Sequence, residues 1–274
     1  MAEADPPPLT ELTEGTQMEI HKPKPVHNWR EFLTEVGTIV LGVLIALGAE
    51  QAVDWMHWRS EVAQAQEFIA TEMAINMRNG IERVRREHCL EQTIDAVAQI
   101  LDTASHTGTL PAVGQLAGPP SRVWNSTVWN SVIASQASSH FSRQQLADLG
   151  RSYEQIQRLN ENNTEEMVAW SNLDAIVGSG RRFDPSSEAA LRSALSQVRW
   201  YNRILALGSG QMVARVQQLN LPFSQNDLGI IASAAHSPLT CLPIGPSAPS
   251  VSGQAPLSTV PAQIDDFLKQ PPYR

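Results

Sequence analysis

The chain reads as all-α: a single N-terminal transmembrane helix, then an extracytoplasmic helical bundle, then a Pro/Ser-rich C-terminal tail. Three observations carry that expectation. Val36 to Ala49, VGTIVLGVLIALGA, is a run of fourteen residues without a charge, bracketed by Glu35 and Glu50. Downstream, apolar residues recur at spacings of three and four, and no alternating strand pattern is found. From Pro222 onward Pro, Ser and Gly dominate. Four segments are expected: 1–28 as a disordered cytoplasmic tail, 29–58 as the transmembrane helix with interfacial flanks, 59–220 as the bundle, and 221–274 as an extended or wrapping tail.

The span comes first. Fourteen residues rise ~21 Å as a helix against a hydrocarbon core of ~30 Å. Phe32 and Leu33 lengthen the run, and Trp29 on one side answers Trp55 and Trp58 on the other, as interfacial belts require. A buried core helix and a cleaved signal peptide are the competing readings. Against cleavage, about thirty residues precede the run and carry Glu3, Asp5, Glu11, Glu14 and Glu19, unlike a short basic leader. Lys22, Lys24 and Arg30 lie before the span, whereas only Arg59 occurs in the twenty residues after Glu50, so the N-terminal tail is expected in the cytoplasm.

The helix entered at Trp29 meets no proline up to Asn79 and Gly80, and Ile81, Val84, Leu90, Ile94, Val97 and Leu101 extend an amphipathic pattern to about Thr103. His106 to Pro120 is a Gly/Pro loop. Arg122 to Ala137 is a weaker helical segment. Ser142 followed by Gln145 has capping-box spacing, with Leu146, Leu149, Tyr153, Ile156 and Leu159 behind it, and predicts a helix to about Trp170. Asp184 and Pro185 supply an N-cap and a first-turn proline for the last long helix, which is expected to loosen at Gly208 to Gly210 and resume at Val213.

Net charge is −8, so nothing suggests nucleic acid and none is expected as a partner. Arg83, Arg85 and Arg86, and the carboxylates Asp95, Asp102, Glu161, Glu165 and Glu166, are expected on solvated helix faces. No metal-binding His pair, nucleophile elbow, dinucleotide fingerprint or phosphate loop occurs, so neither a catalytic residue nor a cofactor is expected. The two cysteines, Cys89 and Cys241, both fall on the extracytoplasmic side, where a disulfide is the leading expectation. A zinc site with His88 and His236, or free thiols, are the lesser ones. Trp124 and Trp129, in VWNSTVWN, would sit ~140° apart on one helix. Packing of both in the core competes there with a partner surface. Within the span Thr38, Gly42, Ala46 and Glu50 recur every four residues and form a small-residue stripe suited to close helix association.

The stretch KPKPVHNWREFLTEVGTIVLGVLIALGAEQ, followed by ATEMAINM, resembles a group of bacterial single-pass membrane proteins of unknown function. The matching positions are Trp29, Glu35, Leu41 to Leu47, and Glu72 with Asn76; a later block holds Trp129, Leu146, Leu149 and Tyr153. The resemblance implies a bacterial inner-membrane location with a periplasmic helical domain, and no activity. The expected role is a non-enzymatic structural or interaction protein with the lipid bilayer, its own copies or membrane-complex subunits as partners. An extracytoplasmic sensor or ligand-binding module is the alternative.

Overall fold

Seventy-nine consecutive residues, Trp29–Thr107, form one helix, α1, in a computed structural model that describes residues 28–236 and Ile244. Two compact units divide the chain, residues 1–54 and 55–274, and α1 contributes to each. In α1 a window of 18 residues is long and apolar enough to cross a membrane, and none of it is buried within the protein. Ile39, Leu44 and Ile45 are among its exposed side chains. The Thr34 and Thr38 hydroxyls donate to the carbonyls of Arg30 and Thr34, so these polar groups are satisfied inside the helix.

In the second unit α1 is followed by β1 (Thr109–Leu110), α2 (Thr127–Ala134), α3 (Arg143–Leu173), β2 (Arg181–Arg182), α4 (Pro185–Gln218) and α5 (Gln225–His236). β1 and β2 pair antiparallel, Thr109 opposite Arg182 and Leu110 opposite Arg181. β1 lies inside the expected Gly/Pro loop, and β2 lies in the connection between α3 and α4. The capping box at α3 forms as its sequence requires: the Ser142 hydroxyl accepts from Gln145 N, and the Gln145 side chain accepts from Ser142 N. Asp184 caps α4 by accepting from the Ser186 and Ser187 amides at 2.9 and 3.0 Å.

Three expectations need correction. The glycines Gly208 and Gly210 do not loosen α4, which is continuous through them. A Cβ at Gly208 would stand 3.1 Å from Leu159 Cδ2, so this glycine permits a close approach of α3 and α4. Trp124 precedes α2 instead of sharing a helix with Trp129, because side chains of α1 hold its backbone neighbours in a non-helical segment. Within the expected tail, Ser224 and Asp227 form a reciprocal cap that starts α5.

The core is divided in two. One apolar cluster joins Ile69, Met73, Met77 and Ile81 of α1 to Trp124, Tyr153 and Ile156, to Met212 and Val213 of α4, and to Ile231 of α5. The second joins Leu90, Ile94 and Leu101 of α1 to Trp170, Leu173 and Ile176, and to Leu191, Leu195 and Val198 of α4. Tyr201 touches both. Because α1 is buried nearly all round between Glu72 and Arg85, its polar side chains there must find partners inside the protein.

Candidate functional site

One face of α1 carries Glu72, Asn76, Asn79 and Glu82 at helical spacing, and all four are buried. Each is used on the segment that leads into α2. The Asn76 amide donates to Asn125 O at 2.8 Å and accepts from Asn125 N at 2.9 Å, completing both backbone bonds of that residue. Asn79 donates to Val123 O at 2.9 Å. Glu72 accepts from Val128 N at 2.9 Å, from Trp129 N at 3.3 Å and from the Tyr153 hydroxyl at 2.8 Å. The α2 N-cap residue, Ser126, makes no side-chain cap bond, so a carboxylate from another helix caps α2 and meets the positive end of its dipole.

Glu82 closes the ladder. Arg122 binds it bidentately through Nε and Nη2, both at 2.8 Å, and Arg86 approaches at 3.2 Å. Burial pushes the Glu82 carboxyl up, but Arg122 and then Arg86 outweigh burial and hold it below its ordinary value. Burial likewise pushes the Tyr153 phenol well above its ordinary value, with the Glu72 charge adding to the rise.

A second polar layer separates the two apolar clusters. Arg83 donates to both oxygens of Glu166, at 2.6 and 2.9 Å, and to Asn202 Oδ1 at 3.0 Å; Asn202 in turn donates to Glu91 at 3.2 Å. Glu166 is wholly buried, and burial raises its carboxyl above the ordinary range while Arg83 opposes the rise. The expectation that Arg83, Arg85 and Glu166 lie on solvated faces is therefore corrected. Arg85 is buried and donates to Ala234 O in the last turn of α5. Among the remaining carboxylates Asp95 pairs with Arg199 and Asp102 with Arg192 on the surface, while Glu161 and Glu165 are exposed.

The sequence singled out Trp124 and Trp129, and the fold treats them differently. Trp124 is 6% exposed and belongs to the first cluster. Trp129 is half-buried and stacks on Tyr153, ring centroids 5.0 Å apart and 7° from parallel. Thr38, Gly42, Ala46 and Glu50 are exposed on α1, and no atom lies within 4 Å of a Cβ built at Gly42. Cys89 is buried in α1; Cys241 lies outside the described residues. Among the described residues no group of three or more His, Cys, Asp or Glu side chains is placed to hold a metal ion.

The cavity beside the ladder, lined by Asn79, Glu82, Arg83, Arg86, Arg122 and Trp124 among others, has about 20 Å³, room for one water. Its cations face carboxylates already bound to them, so the arrangement is built to hold a chain segment in place. Two roomier clefts lie among the described residues. One of about 390 Å³ lies among Gln66, Phe141, Gln145, Gln218 and Asn220, and one of about 330 Å³ among Glu61, Phe68, Val128 and Val132. Comparison of the chain with family models, with curated proteins and with solved structures gave no match.

The ladder was only partly visible in the sequence. Glu72 and Asn76 stand out, Glu166 reads as solvent-facing, and the sequence assigns no role to Asn79, Glu82, Arg122 or Asn202. A signal existed: amide and charged residues at 72, 76, 79, 82 and 83 share a helical period with Met73, Met77 and Ile81. A helix with apolar and polar stripes both so dense has no bare face to give to water.

Proposed function

We propose that the chain is a membrane-anchored, non-enzymatic structural or interaction protein, self-associating or serving as an accessory subunit of a larger membrane complex. In this reading the N-terminus is cytoplasmic, residues 29–58 cross a bacterial inner membrane, and residues 59–220, together with α5, form a periplasmic helical bundle. The observation that carries it is the 18-residue apolar window of α1, none of which is buried. So large an apolar surface is unfavourable in water and favourable in hydrocarbon. The buried acids, amides and arginines are engaged with backbone and with one another, which supports a holding role over a chemical one. Cys89 and Cys241 join in a disulfide in this reading; Ile244, three residues past Cys241, packs against the cluster that contains Leu90 and Ile94.

Within the span, Thr38, Gly42 and Ala46 form the contact stripe. Replacing Gly42 with Leu adds bulk where backbones would meet, whereas Val40→Leu exchanges one apolar side chain for another. In a membrane crosslinking assay association falls for Gly42→Leu and holds for Val40→Leu. Equal association of the two variants removes the stripe from the proposal, and recovery of the wild-type chain in the soluble fraction after carbonate extraction removes the anchor. The sensor reading is favoured by one observation, the cleft of about 390 Å³ rimmed by amides. Mild-detergent purification separates the two: co-purifying subunits support the first reading and a bound small molecule the second.

A further inference from the structure

The cleft of about 390 Å³ is formed where the end of α4 meets α1 and the first turns of α3, and its size is that of a small-molecule site. Its floor is apolar, since Ile69, Phe141 and Leu149 are all buried. Its rim carries four carboxamides: Gln66 of α1, Gln145 of α3, Gln218 of α4, and Asn220 just beyond it. Gln145 spends its Oε1 on the Ser142 amide and keeps its N–H donors, while the side-chain amides of Gln66, Gln218 and Asn220 make no hydrogen bond among the described residues. Asn220 adopts φ 49°, the left-handed conformation that ends α4 and turns the chain into Leu221 and Pro222, which also line the cleft. Four positions after Gln218 stands Pro222, which has no N–H, so the Gln218 carbonyl lacks its helical donor. Among the lining residues only Asp148 is charged, and its two oxygens are bound by Gln144 Nε2, at 2.9 Å, and by Arg151.

We propose that this cleft binds a neutral, hydroxyl-rich small molecule with the chemistry of a mono- or disaccharide. A carboxamide both donates and accepts, as does every sugar hydroxyl, so a ring of amides can pair with a ring of hydroxyls in either direction. The apolar floor receives the C–H face of the same molecule. Charged ligands fit less well: an anion finds no cation in the lining, and a cation finds its one carboxylate already taken by Arg151. A wholly apolar ligand would leave the rim amides desolvated and unpaired. An extended peptide is offered no strand edge, because the walls come from helices whose backbone groups pair within themselves. The inference rests on the ligand-binding reading of this cleft and is independent of the membrane assignment.

The test is saturation-transfer NMR on the full-length protein, purified in a detergent without sugar groups. Maltose and diacetylchitobiose serve as the neutral hydroxylated probes, and citrate, spermidine and an end-blocked trialanine as the anionic, cationic and peptide probes. The expected result is transfer to at least one of the two sugars, with millimolar affinity, and none to the other three. Gln218→Trp, which fills the cleft from its rim, abolishes the signal. Gln66→Leu and Asn220→Gly, the latter keeping a residue that tolerates the left-handed backbone, each weaken binding about three- to tenfold, the scale of one neutral hydrogen bond. Gln218 and Asn220 are exposed and Gln66 borders the cleft, so the fold tolerates the changes; a circular dichroism spectrum checks it. Sugar binding indifferent to any of these substitutions overturns the proposal. Transfer to citrate, spermidine or the peptide alone, lost in Gln218→Trp, overturns the ligand class and leaves the cleft a binding site. Absence of any signal that depends on Gln218 overturns both.

Discussion

A carboxylate inside a protein must be met by donors, and Glu72 and Glu82 are met in different ways. Glu72 receives neutral donors: the Val128 and Trp129 amides and the Tyr153 hydroxyl. Glu72→Ala strips the cap of α2 and leaves that hydroxyl buried without its acceptor. It should cost about 1–3 kcal/mol in a denaturant-unfolding experiment. Glu82 receives cations, and Arg122 and Arg86 hold its folded-state carboxyl below the ordinary 4.5. A group depressed on folding stabilises fully above its unfolded value, and that contribution is lost as the pH falls through the folded value. The stability gap between wild type and Glu82→Gln should therefore be widest near neutral pH and narrow as the pH drops below about 4.5. A gap independent of pH would show that the bidentate pair with Arg122 does not persist in solution. Glu166 has the opposite sign, since burial raises it, and its ionised form depends on Arg83.

Between elements, glycines mark where helices approach most closely. A Cβ on Gly80 of α1 would lie 2.8 Å from Met212 Cε and 3.0 Å from Val213 Cγ2 of α4. Gly229 of α5 is different, because nothing lies within 4 Å of its Cβ position. Gly80→Leu should overpack the α1–α4 contact and cost about 1–3 kcal/mol. Gly229→Ala, at an exposed helical site, should stabilise by about 0.5–1 kcal/mol through helix propensity alone. Thermal melts of the two variants should move in opposite directions; a Gly80→Leu protein as stable as wild type would mean that α4 sits farther from α1. Gly208 and Gly210 suggest a break locally, yet Gly208 serves as a contact surface for Leu159 and Gly210 faces Val84.

At the scale of the whole molecule, the proposed disulfide has the longest reach. Closing a loop of about 150 residues between Cys89 and Cys241 stabilises by roughly 4–5 kcal/mol in the chain-entropy model, less any strain. Alkylation of protein from its native compartment without reductant should label neither thiol, and both only after reduction and unfolding. Labelling of both thiols without reductant would remove the bond. A reporter fused after Arg274 that works only outside the cytoplasm should be active; activity of a cytoplasm-only reporter there reverses the assigned orientation.

What the sequence determined by itself was local. The apolar run before Glu50, the cap at Ser142 with Gln145, and the cap at Asp184 with Pro185 each depend on residues a few positions apart, and those helices begin where the signals lie. The cap at Ser224 and Asp227 is equally local, but it lies within the Pro-rich stretch whose composition predicts an extended tail. Tertiary structure decided which polar residues are buried and what they hold. Glu72 meets an amide 56 residues away and a hydroxyl 81 away, Asn79 a carbonyl 44 away, and Arg83 a carboxylate 83 away. No local pattern encodes such pairs. Whether an acid or amide faces water or a distant backbone depends on where the rest of the chain packs, and the same packing kept Trp124 out of α2 and carried α4 unbroken through its glycines.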